Sequence, residues 1–385
     1  MKTRVAVVGT GAMGRGIVQV VGRSVDMEIV AAADIDRRML EKTKPLLPRD
    51  ALATTDPAEI FRKKPDVLVE ATPTITEAAL LIKRALSLKI HVVLMNAEVD
   101  QVFGRLLAKE AQANGVILTS DAGDQHGVLL HEMEEVKSMS FEIVMAGNNK
   151  GFLNRYANPE TIIEEAAKRH LSAKQCAAYT DGTKLSIEMA LVANATGLNL
   201  LQTGMVGPRV QYVDEALKAF DLEKCRELGG VVDYVLGAKP GASVFLIGHS
   251  DDPEDQFYMD YYKMGSGPYY LFLRPYHLCH YETPYAIRRI MKYKEPILVQ
   301  KKRFLEVGSR AKTDLKKDTM LDGIGGYHLY GVLEKPGNLP IGLSECTVLK
   351  REKKKDEPIG WDDVEFPESD PRLVLWKEQA KYDGE

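Results

Sequence analysis

Three glycines near the N-terminus constrain the fold of this chain more than any other feature. The stretch "VVGTGAMGRG" places Gly9, Gly11 and Gly14 in G-x-G-x-x-G spacing directly after a β-branched run. A helical segment follows, and the next apolar run, 27–34, ends in Asp34. This order of strand, glycine turn, helix and strand with a terminal acid is the context of a dinucleotide-binding fingerprint. The sequence therefore predicts an N-terminal Rossmann unit.

The residues of the glycine turn have separate physical roles. Gly9 permits a tight turn, Gly11 lets the backbone approach a pyrophosphate, and Gly14 lets helix and strand pack closely. Ala12 and Met13 open the helix, where exposed amides and the helix dipole favour an anion. We expect these five residues to bind the cofactor.

The choice between NAD and NADP depends on the end of the second strand. Asp34 is placed to bind both ribose hydroxyls, and its charge would repel a 2′-phosphate. Arg37 and Arg38 follow closely; they either embrace a 2′-phosphate or are ordinary helix-surface arginines. NAD is slightly preferred.

Strand and helix patterns alternate at short spacing along the first third of the chain. Further strands are predicted at 66–72, 91–98 and 116–123, with helical segments between the later ones. Such alternation predicts βαβ units and a doubly wound parallel sheet of the α/β class. A run at 141–147 either ends this sheet or begins the next domain.

Polar side chains follow several of these strands. Thr72, Asn96 and Glu98 come at two strand ends, and Asp121 and Asp124 come at a third. The carboxyl ends of parallel strands form the crevice in which ligands bind. We expect a nicotinamide ring and its substrate there, although each residue alone also suits a turn or a helix cap.

The rest of the chain predicts two further domains. Residues 1–147 form the Rossmann domain, 148–295 a central α+β catalytic and dimerisation domain, and 296–385 a small β domain with a C-terminal tail. The central region begins with long helical stretches and continues as a strand-like, aromatic segment. Within it, "RPYHLCHYE" is expected to pack on the C-terminal β domain. The C-terminal region has short strands, including "EPILVQKK", separated by glycine and charged turns.

Composition and charge exclude several classes of function. A net charge of −4 gives no electrostatic reason to expect nucleic acid or an anionic membrane. No segment resembles a transmembrane span or a signal peptide. The four cysteines are scattered, which suggests neither a disulfide framework nor a zinc site. A cytoplasmic protein that binds a small-molecule substrate is expected.

The stretch "YTDGTKLSIEMALVANATG" places Lys184 close to the start of a predicted helix. Helix starts disfavour cations, so a lysine there suggests function. A cation aimed at a carbonyl oxygen stabilises the charge that hydride transfer builds and can donate a proton. Asp181 and Glu188 lie on the same helical face. They could orient Lys184, hold a divalent cation or take a substrate proton; a surface Lys184–Glu188 pair is the plain alternative.

Two more polar residues are candidates for substrate binding. Lys150 lies in "GNNKG", where flanking glycines would let a loop approach a phosphate or carboxylate. It is equally well explained as an exposed loop lysine. Asn194 suits a substrate contact, or a local hydrogen bond within its helix.

Several motifs together resemble a known family. The N-terminal half is similar to the homoserine-dehydrogenase-like NAD(P) oxidoreductases. The stretches "NAEVD", "AGDQHGVL", "GNNKGFLNRYANPET", "YTDGTKLSIEMALVANATG" and "LRPYHLCHYETP" resemble a subgroup similar to 1-deoxyxylulose-5-phosphate reductoisomerase. The C-terminal "SRAKTDLKKDTMLDGIGGYHLYG" and "LPIGLSECTVLKRE" resemble a small β module of the SAF type.

The resemblance implies an enzyme in which Lys184 is catalytic. Asp181, Glu188 and Glu98 then become candidates for proton handling or cation binding, and Lys150, Asp124 and Asn194 for substrate binding. It further implies a homodimer or homotetramer and, if the reaction is reductive isomerisation, a divalent metal. The alternatives are a homoserine-, semialdehyde- or polyol-type dehydrogenase, and a non-catalytic dinucleotide-binding regulatory protein.

Overall fold

A computed structural model describes residues 2–169 and 171–382. The strands are β1 (Thr3–Val8), β2 (Met27–Ala33), β3 (Leu52–Thr54), β4 (Val67–Glu70), β5 (His91–Leu94), β6 (Leu118–Ser120), β7 (Glu142–Lys150), β8 (Val231–Leu236), β9 (Val244–His249), β10 (Tyr269–Arg274), β11 (Glu306–Ala311), β12 (Leu329–Glu334), β13 (Val348–Leu349) and β14 (Val364–Glu365). The α-helices are α1 (Ala12–Gly22), α2 (Arg37–Thr43), α3 (Thr76–Ser87), α4 (Ala97–Ala113), α5 (Gln125–Ser138), α6 (Ile163–Lys168), α7 (Ala173–Thr180), α8 (Thr183–Thr196), α9 (Ala216–Ala219), α10 (Leu222–Glu227), α11 (Pro253–Tyr261), α12 (Cys279–Arg288) and α13 (Pro371–Ala380). None of the helices in this part of the chain is both long and apolar enough to cross a bilayer.

The chain divides into two compact units. The first contains the residues up to Gly127, Leu278–Lys301 and the segment from Glu368 onward; the second contains Val128–His277 and Lys302–Pro367. These units differ from the predicted division at 147 and 295.

The physical reason is that a late segment packs into the first unit. Helix α12 lies against α1 so closely that a Cβ on Gly16 would overlap the His280 ring. Further along, the backbone amides of Ile297 and Leu298 donate to the hydroxyl of Thr119, at 2.8 and 3.2 Å. The "RPYHLCHYE" segment is therefore divided: residues 274–277 belong to the second unit and residues 278–282, with the start of α12, to the first. Its expected packing on the C-terminal strands stays a prediction.

The first unit is the predicted doubly wound α/β sheet. Six strands in the described residues form it, in the order β3-β2-β1-β4-β5-β6, and all of their pairings are parallel. The β1, β2 and β4 positions are almost all apolar and buried, as expected for strands covered on both faces. Strand β5 ends at Leu94, short of the predicted 98, because Asn96 caps the following helix.

The second unit is a mixed sheet with helices and two short antiparallel strand pairs. The sheet order is β10-β9-β7-β8, with β7 and β8 parallel and the other neighbours antiparallel. Strands β11 and β12 pair antiparallel, as do β13 and β14. This architecture confirms the predicted α/β fold with a second α+β region and small β pairs. The SAF resemblance of the C-terminal strands stays a prediction.

Three local predictions differ from the structure. Residues 148–150 of the predicted "GNNKG" loop continue strand β7, where Lys150 pairs with Leu236. The "EPILVQKK" stretch contains no strand, and the β11 strand begins only at Glu306. The aromatic segment contains helix α11 between two strands, because Asp252 caps its start and Pro253 occupies its first turn.

Fully buried acids lie at the carboxyl edge of the first sheet. Glu70 ends β4, Asp121 follows β6, and Asp100 on α4 accepts a hydrogen bond from the Ser120 hydroxyl. Burial raises the pKa of Glu70 and Asp121 to about 7 and the pKa of Asp100 to about 6. In the folded state these carboxyls hold their protons to a higher pH than in the unfolded chain.

This burial predicts a pH-dependent stability of the first unit. The folded state binds more protons than the unfolded state between about pH 4.5 and 7, so the free energy of unfolding falls as pH rises through that window. For Glu70 alone the change amounts to about 3 kcal/mol. Thermal unfolding midpoints measured from pH 5 to 8 should show this decline, and a smaller one in E70Q. If the unfolding midpoints of E70Q and wild type declined equally with pH, the assignment of this decline to Glu70 would be contradicted.

Candidate functional site

The glycine turn of the first unit has the geometry that a dinucleotide requires. Gly9 has a φ of +86°, which favours glycine, and its amide donates to the Ala33 carbonyl at 2.9 Å. A Cβ on Gly14 would overlap the Gly9 carbonyl oxygen, so this position needs glycine for close packing. A Cβ on Gly11 would meet nothing within 4 Å. The space beside Gly11 is open to a ligand, as the pyrophosphate of a dinucleotide requires.

The start of α1 completes the anion site. Gly11 is its N-cap residue, and Ala12 and Met13 form its first turn together with Gly14. No acidic residue lies in this first turn. Backbone amides at such a helix start point outward, and the dipole favours negative charge. The fit of these residues to a pyrophosphate therefore rests on the turn geometry and on the helix dipole together.

Asp34 lies directly after β2 and braces the glycine turn. Its Oδ2 accepts the Thr10 amide at 2.6 Å and the Thr10 hydroxyl at 3.0 Å, while its Oδ1 accepts the Asp36 amide at 2.8 Å. A carboxylate oxygen can accept more than one donor, so a ribose hydroxyl remains a suitable partner. Arg37 is exposed at the start of α2, and Arg38 pairs with Asp36 at 3.0 Å.

The strand-end residues Thr72 and Asn96 hold neighbouring loops together. The Thr72 amide donates to Glu70 Oε1 at 2.8 Å, and its hydroxyl lies 3.0 Å from that of Thr74. Asn96 caps α4 by accepting the Val99 amide and donates to the Thr74 carbonyl at 2.6 Å. Asn96 is thus a helix cap, which is one of its two interpretations from the sequence. Thr72 and Asn96 lie at the same edge of the sheet.

Two acids from the sequence prediction begin helices. Glu98 is half-buried in the first turn of α4, where the helix dipole favours a carboxylate. Asp124 is buried immediately before α5 and accepts the Gln125 amide at 2.9 Å. Their predicted roles in proton handling and substrate binding stay predictions.

In the second unit, Lys184 lies near the start of a helix that is buried for nearly its whole length. Helix α8 begins at Thr183 after Gly182, whose φ is +88°. Lys184 is 5% exposed and Glu188, one turn further on, is 0% exposed. A lysine is rarely buried to this degree, because desolvation penalises its charged form. The alternative of a solvent-exposed Lys184–Glu188 pair is therefore wrong, because both side chains are buried.

Glu188 receives donors from strand β7. Its Oε2 lies 3.3 Å from the Lys150 ammonium and accepts the Asn148 side-chain amide at 3.1 Å. Asn148 and Lys150 alternate along β7 and therefore share one face of the sheet. The Asn148 Oδ1 is buried and receives no hydrogen bond from the described residues.

Asp181 pairs with a lysine from the C-terminal strands. Its Oδ2 lies 2.8 Å from the Lys312 ammonium, and its Oδ1 accepts the Thr183 amide at 2.8 Å. Burial raises the pKa of Asp181, and the Lys312 charge opposes that effect. Each of the two predicted carboxylates is thus bonded to a lysine outside α8.

Asn194 has a clear structural role. Its Oδ1 accepts the amides of Phe304 and Leu305, both at 2.9 Å, and its Nδ2 donates to the Leu305 carbonyl at 3.0 Å. These hydrogen bonds fix the segment that leads into β11. The interpretation of Asn194 as a substrate contact stays a prediction.

Sequence reasoning missed Asn148 and Lys312. Asn148 could have been found if β7 had been extended to Lys150, since alternate residues of a strand share a face. Lys312 directly follows "VGSRA", which mixes apolar and polar residues and offered no clear strand signal. Its partner Asp181 is distant in sequence and could not be inferred from spacing.

Two family models match the chain. The model described as homoserine dehydrogenase, NAD binding domain, matches residues 9–120. The model described as oxidoreductase DRL, catalytic domain, matches residues 123–283. The first match covers the glycine turn and the strand ends, and the second covers Lys150, Asp181, Lys184 and Glu188. No curated protein sequence matches the chain.

Solved structures of dehydrogenases also resemble the chain. A homoserine dehydrogenase from Thiobacillus denitrificans aligns at 15% identity over 93% of this chain and 98% of that chain, with a TM-score of 0.49. A hyperthermophilic archaeal homoserine dehydrogenase in complex with NADPH aligns at 14% identity over 78% and 100%, with a TM-score of 0.46. The WlbA dehydrogenase from Bordetella pertussis, in complex with NADH and UDP-GlcNAcA, aligns at 17% identity over 43% and 50%, with a TM-score of 0.34. The chain thus spans half the length of this last protein, and likenesses at these TM-scores do not bear on the substrate.

The two matched models and the glycine-turn geometry identify an NAD(P)-dependent oxidoreductase of the dehydrogenase type. Its NAD-binding domain is homoserine dehydrogenase-like, and its cofactor is a nicotinamide dinucleotide. When bound, that cofactor supplies or accepts the hydride.

The open space beside Gly11 predicts that a methyl group added at this position weakens cofactor binding, whereas one added at the far end of α1 does not. G11A should weaken NADH and NADPH binding at least about tenfold, equivalent to about 1.4 kcal/mol, because its Cβ would fill open space that the fingerprint reserves for the pyrophosphate. G22A is the matched control, since its Cβ also meets nothing within 4 Å but lies at the far end of α1. Titrations followed by nicotinamide fluorescence would measure both. Equal affinities for wild type and G11A would refute the assigned turn.

Proposed function

We propose that this enzyme transfers hydride between NAD(P)H and the carbonyl carbon of a small, polar, anionic substrate. The observation that carries the proposal is Lys184, a lysine 5% exposed at the start of a buried helix, within the segment matched by the oxidoreductase catalytic-domain model. Burial and the helix dipole both penalise its positive charge. Because burial and the helix dipole both disfavour the charged form of Lys184, we infer that this lysine serves catalysis and not stability.

In the proposed reaction Lys184 acts on the substrate oxygen. When the carbonyl carbon accepts hydride, negative charge builds on its oxygen, and the Lys184 ammonium would donate a proton to that oxygen. Protonation of the oxygen gives the alcohol, and in the reverse direction the neutral Lys184 amine would take the proton back. Fixed donors at an oxygen that gains charge typically accelerate such a step by about 10²–10³-fold.

Two residues of β7 support the proposed substrate class. Lys150 is 13% exposed and supplies a cation for a phosphate or carboxylate group. The buried Asn148 Oδ1 is an acceptor for a substrate hydroxyl. A hydroxylated, anionic carbonyl compound has both features. Reductive isomerisation of 1-deoxyxylulose 5-phosphate, implied by the sequence resemblance, is therefore the first reaction to test, before homoserine-, semialdehyde- or polyol-type oxidation.

The two carboxylates near Lys184 do not suggest a metal site. Asp181 and Glu188 are each bonded to a lysine, and an ammonium so close repels a divalent cation. No step of the proposed reaction is therefore assigned to a metal at these residues. NAD is the proposed cofactor because Asp34 stands where a 2′-phosphate would be repelled.

The first prediction of this proposal concerns Lys184. K184A should lower kcat about 10²–10³-fold without changing the Kd for NADH, because the lost group acts on the reacting oxygen. The measurement is turnover of 1-deoxyxylulose 5-phosphate and of a semialdehyde and polyol panel, with and without Mg²⁺. K174A is the control, since Lys174 is a half-exposed lysine on α7. If the protein binds the cofactor but converts no compound of the panel, the proposal fails and the alternative of a non-catalytic dinucleotide-binding protein is favoured.

The second prediction concerns Lys150. K150M should raise KM for a phosphorylated substrate about 10- to 100-fold, the effect of one lost hydrogen bond to a charged group. The same substrate without its phosphate should lose much less, and kcat should stay close to wild type. Equal losses for both substrates would show that Lys150 only supports Glu188.

A further inference from the structure

One buried lysine ties three segments of the second unit together. Lys312 directly follows β11, and its side chain is 1% exposed. Its ammonium donates to the Ala157 carbonyl at 2.6 Å and the Gly326 carbonyl at 2.8 Å, and lies 2.8 Å from Asp181 Oδ2. These three acceptors match the three donors of an ammonium group.

Asp181 extends this connection to the start of α8. Its amide donates to the Ala177 carbonyl at the end of α7, and its Oδ1 accepts the Thr183 amide at the start of α8. Only Asp181 and Gly182 lie between the two helices, and Gly182 is in the left-handed region. The carboxylate thus fixes the turn that precedes Lys184 by three residues.

Strand β12 contacts the same helical turn. The Gly331 amide donates to the Thr183 hydroxyl at 2.8 Å, and the Ser186 hydroxyl donates to the Gly331 carbonyl at 3.3 Å. A Cβ on Gly331 would lie 2.6 Å from the Val307 side chain and 3.0 Å from that of Thr183. Lys184 is flanked by both residues that bond to this strand.

The loop after Lys150 is held by the same group. Ala157 lies seven residues beyond Lys150, and the Asn154 amide donates to the Thr180 carbonyl at 2.7 Å. Lys312 therefore contacts the segment that follows one proposed substrate lysine and the turn that precedes the other.

We propose that Lys312 and Asp181 are positioning residues that fix Lys184 for proton donation. The C-terminal strands β11 and β12 then control the active geometry of α8 from within the second unit. Asp181 acts through the helix start and not on the substrate. The inference rests on the proposed function of Lys184.

The test removes both charges at once. In D181N/K312M no unpaired buried charge remains, which spares the fold the largest cost. R310M/E334Q is the control, because it removes a different ion pair of the second unit, a partly buried one that joins β11 to β12. The single variant D181N keeps a side-chain oxygen that can accept the Thr183 amide. It replaces the double variant in this test if the double variant does not fold.

Two readouts separate positioning from stability. Hydrogen exchange of residues 181–188 should rise in D181N/K312M and stay at the wild-type level in the control. The kcat should fall at least about tenfold with unchanged Kd for NADH, since small misplacements of a catalytic group are costly. In the K184A background the same pair of substitutions should change the residual rate less than about twofold, because residues that act as one unit are not additive.

The outcomes distinguish this inference from the proposed function. Unchanged exchange, or raised exchange with wild-type kcat, overturns the positioning role while K184A remains inactive. An equal loss of kcat in the control variant also overturns it. If K184A retains wild-type turnover, or if no substrate is turned over, the proposed function fails, and the exchange of residues 181–188 then reports only a structural contact.

Discussion

A lysine ammonium removed from water must have its N–H groups accepted by protein oxygens, and this requirement organises the second unit around Lys312. Its acceptors come from the loop after β7, the turn between α7 and α8, and the segment before β12. Loss of one partner from such a buried pair typically costs roughly 3–5 kcal/mol, because the other charge is left uncompensated. The three segments therefore cannot move independently.

The first unit depends on a steric constraint instead. Its glycine turn needs residues without a side chain at fixed spacing, and the helix that follows needs a close approach to β1. Both needs are local in sequence. The N-terminal strand-turn-helix unit, its cofactor class and the place of Asp34 could therefore be predicted from fewer than forty residues, whereas the parallel sheet was predicted from the alternation of strands and helices as far as residue 123.

Predictions failed where the deciding contacts lie far apart in sequence or where composition outweighed a capping signal. Asp252 and Pro253 are a cap residue and a first-turn proline, yet the aromatic residues that follow suggested strand. Helix α12 packs on α1 because Gly16 leaves room for the His280 ring, and no spacing rule connects these two positions. Domain boundaries drawn from changes in composition cannot detect such a return of the chain.

The candidate catalytic residues show the same difference between local sequence signals and contacts made by residues far apart in sequence. Sequence spacing predicted one helical face for Asp181, Lys184 and Glu188. In the structure Lys184 and Glu188 lie on α8, whereas Asp181 precedes that helix at the end of α7. Spacing assigns a face but no partners. Asp181 is bonded to Lys312 from the C-terminal strands, and Glu188 to Lys150 from β7. Each of these contacts ties a neighbouring segment to the start or to the second turn of α8. Proton transfer in the proposed reaction is therefore better assigned to Lys184, while the carboxylates hold the strands and loops that surround it.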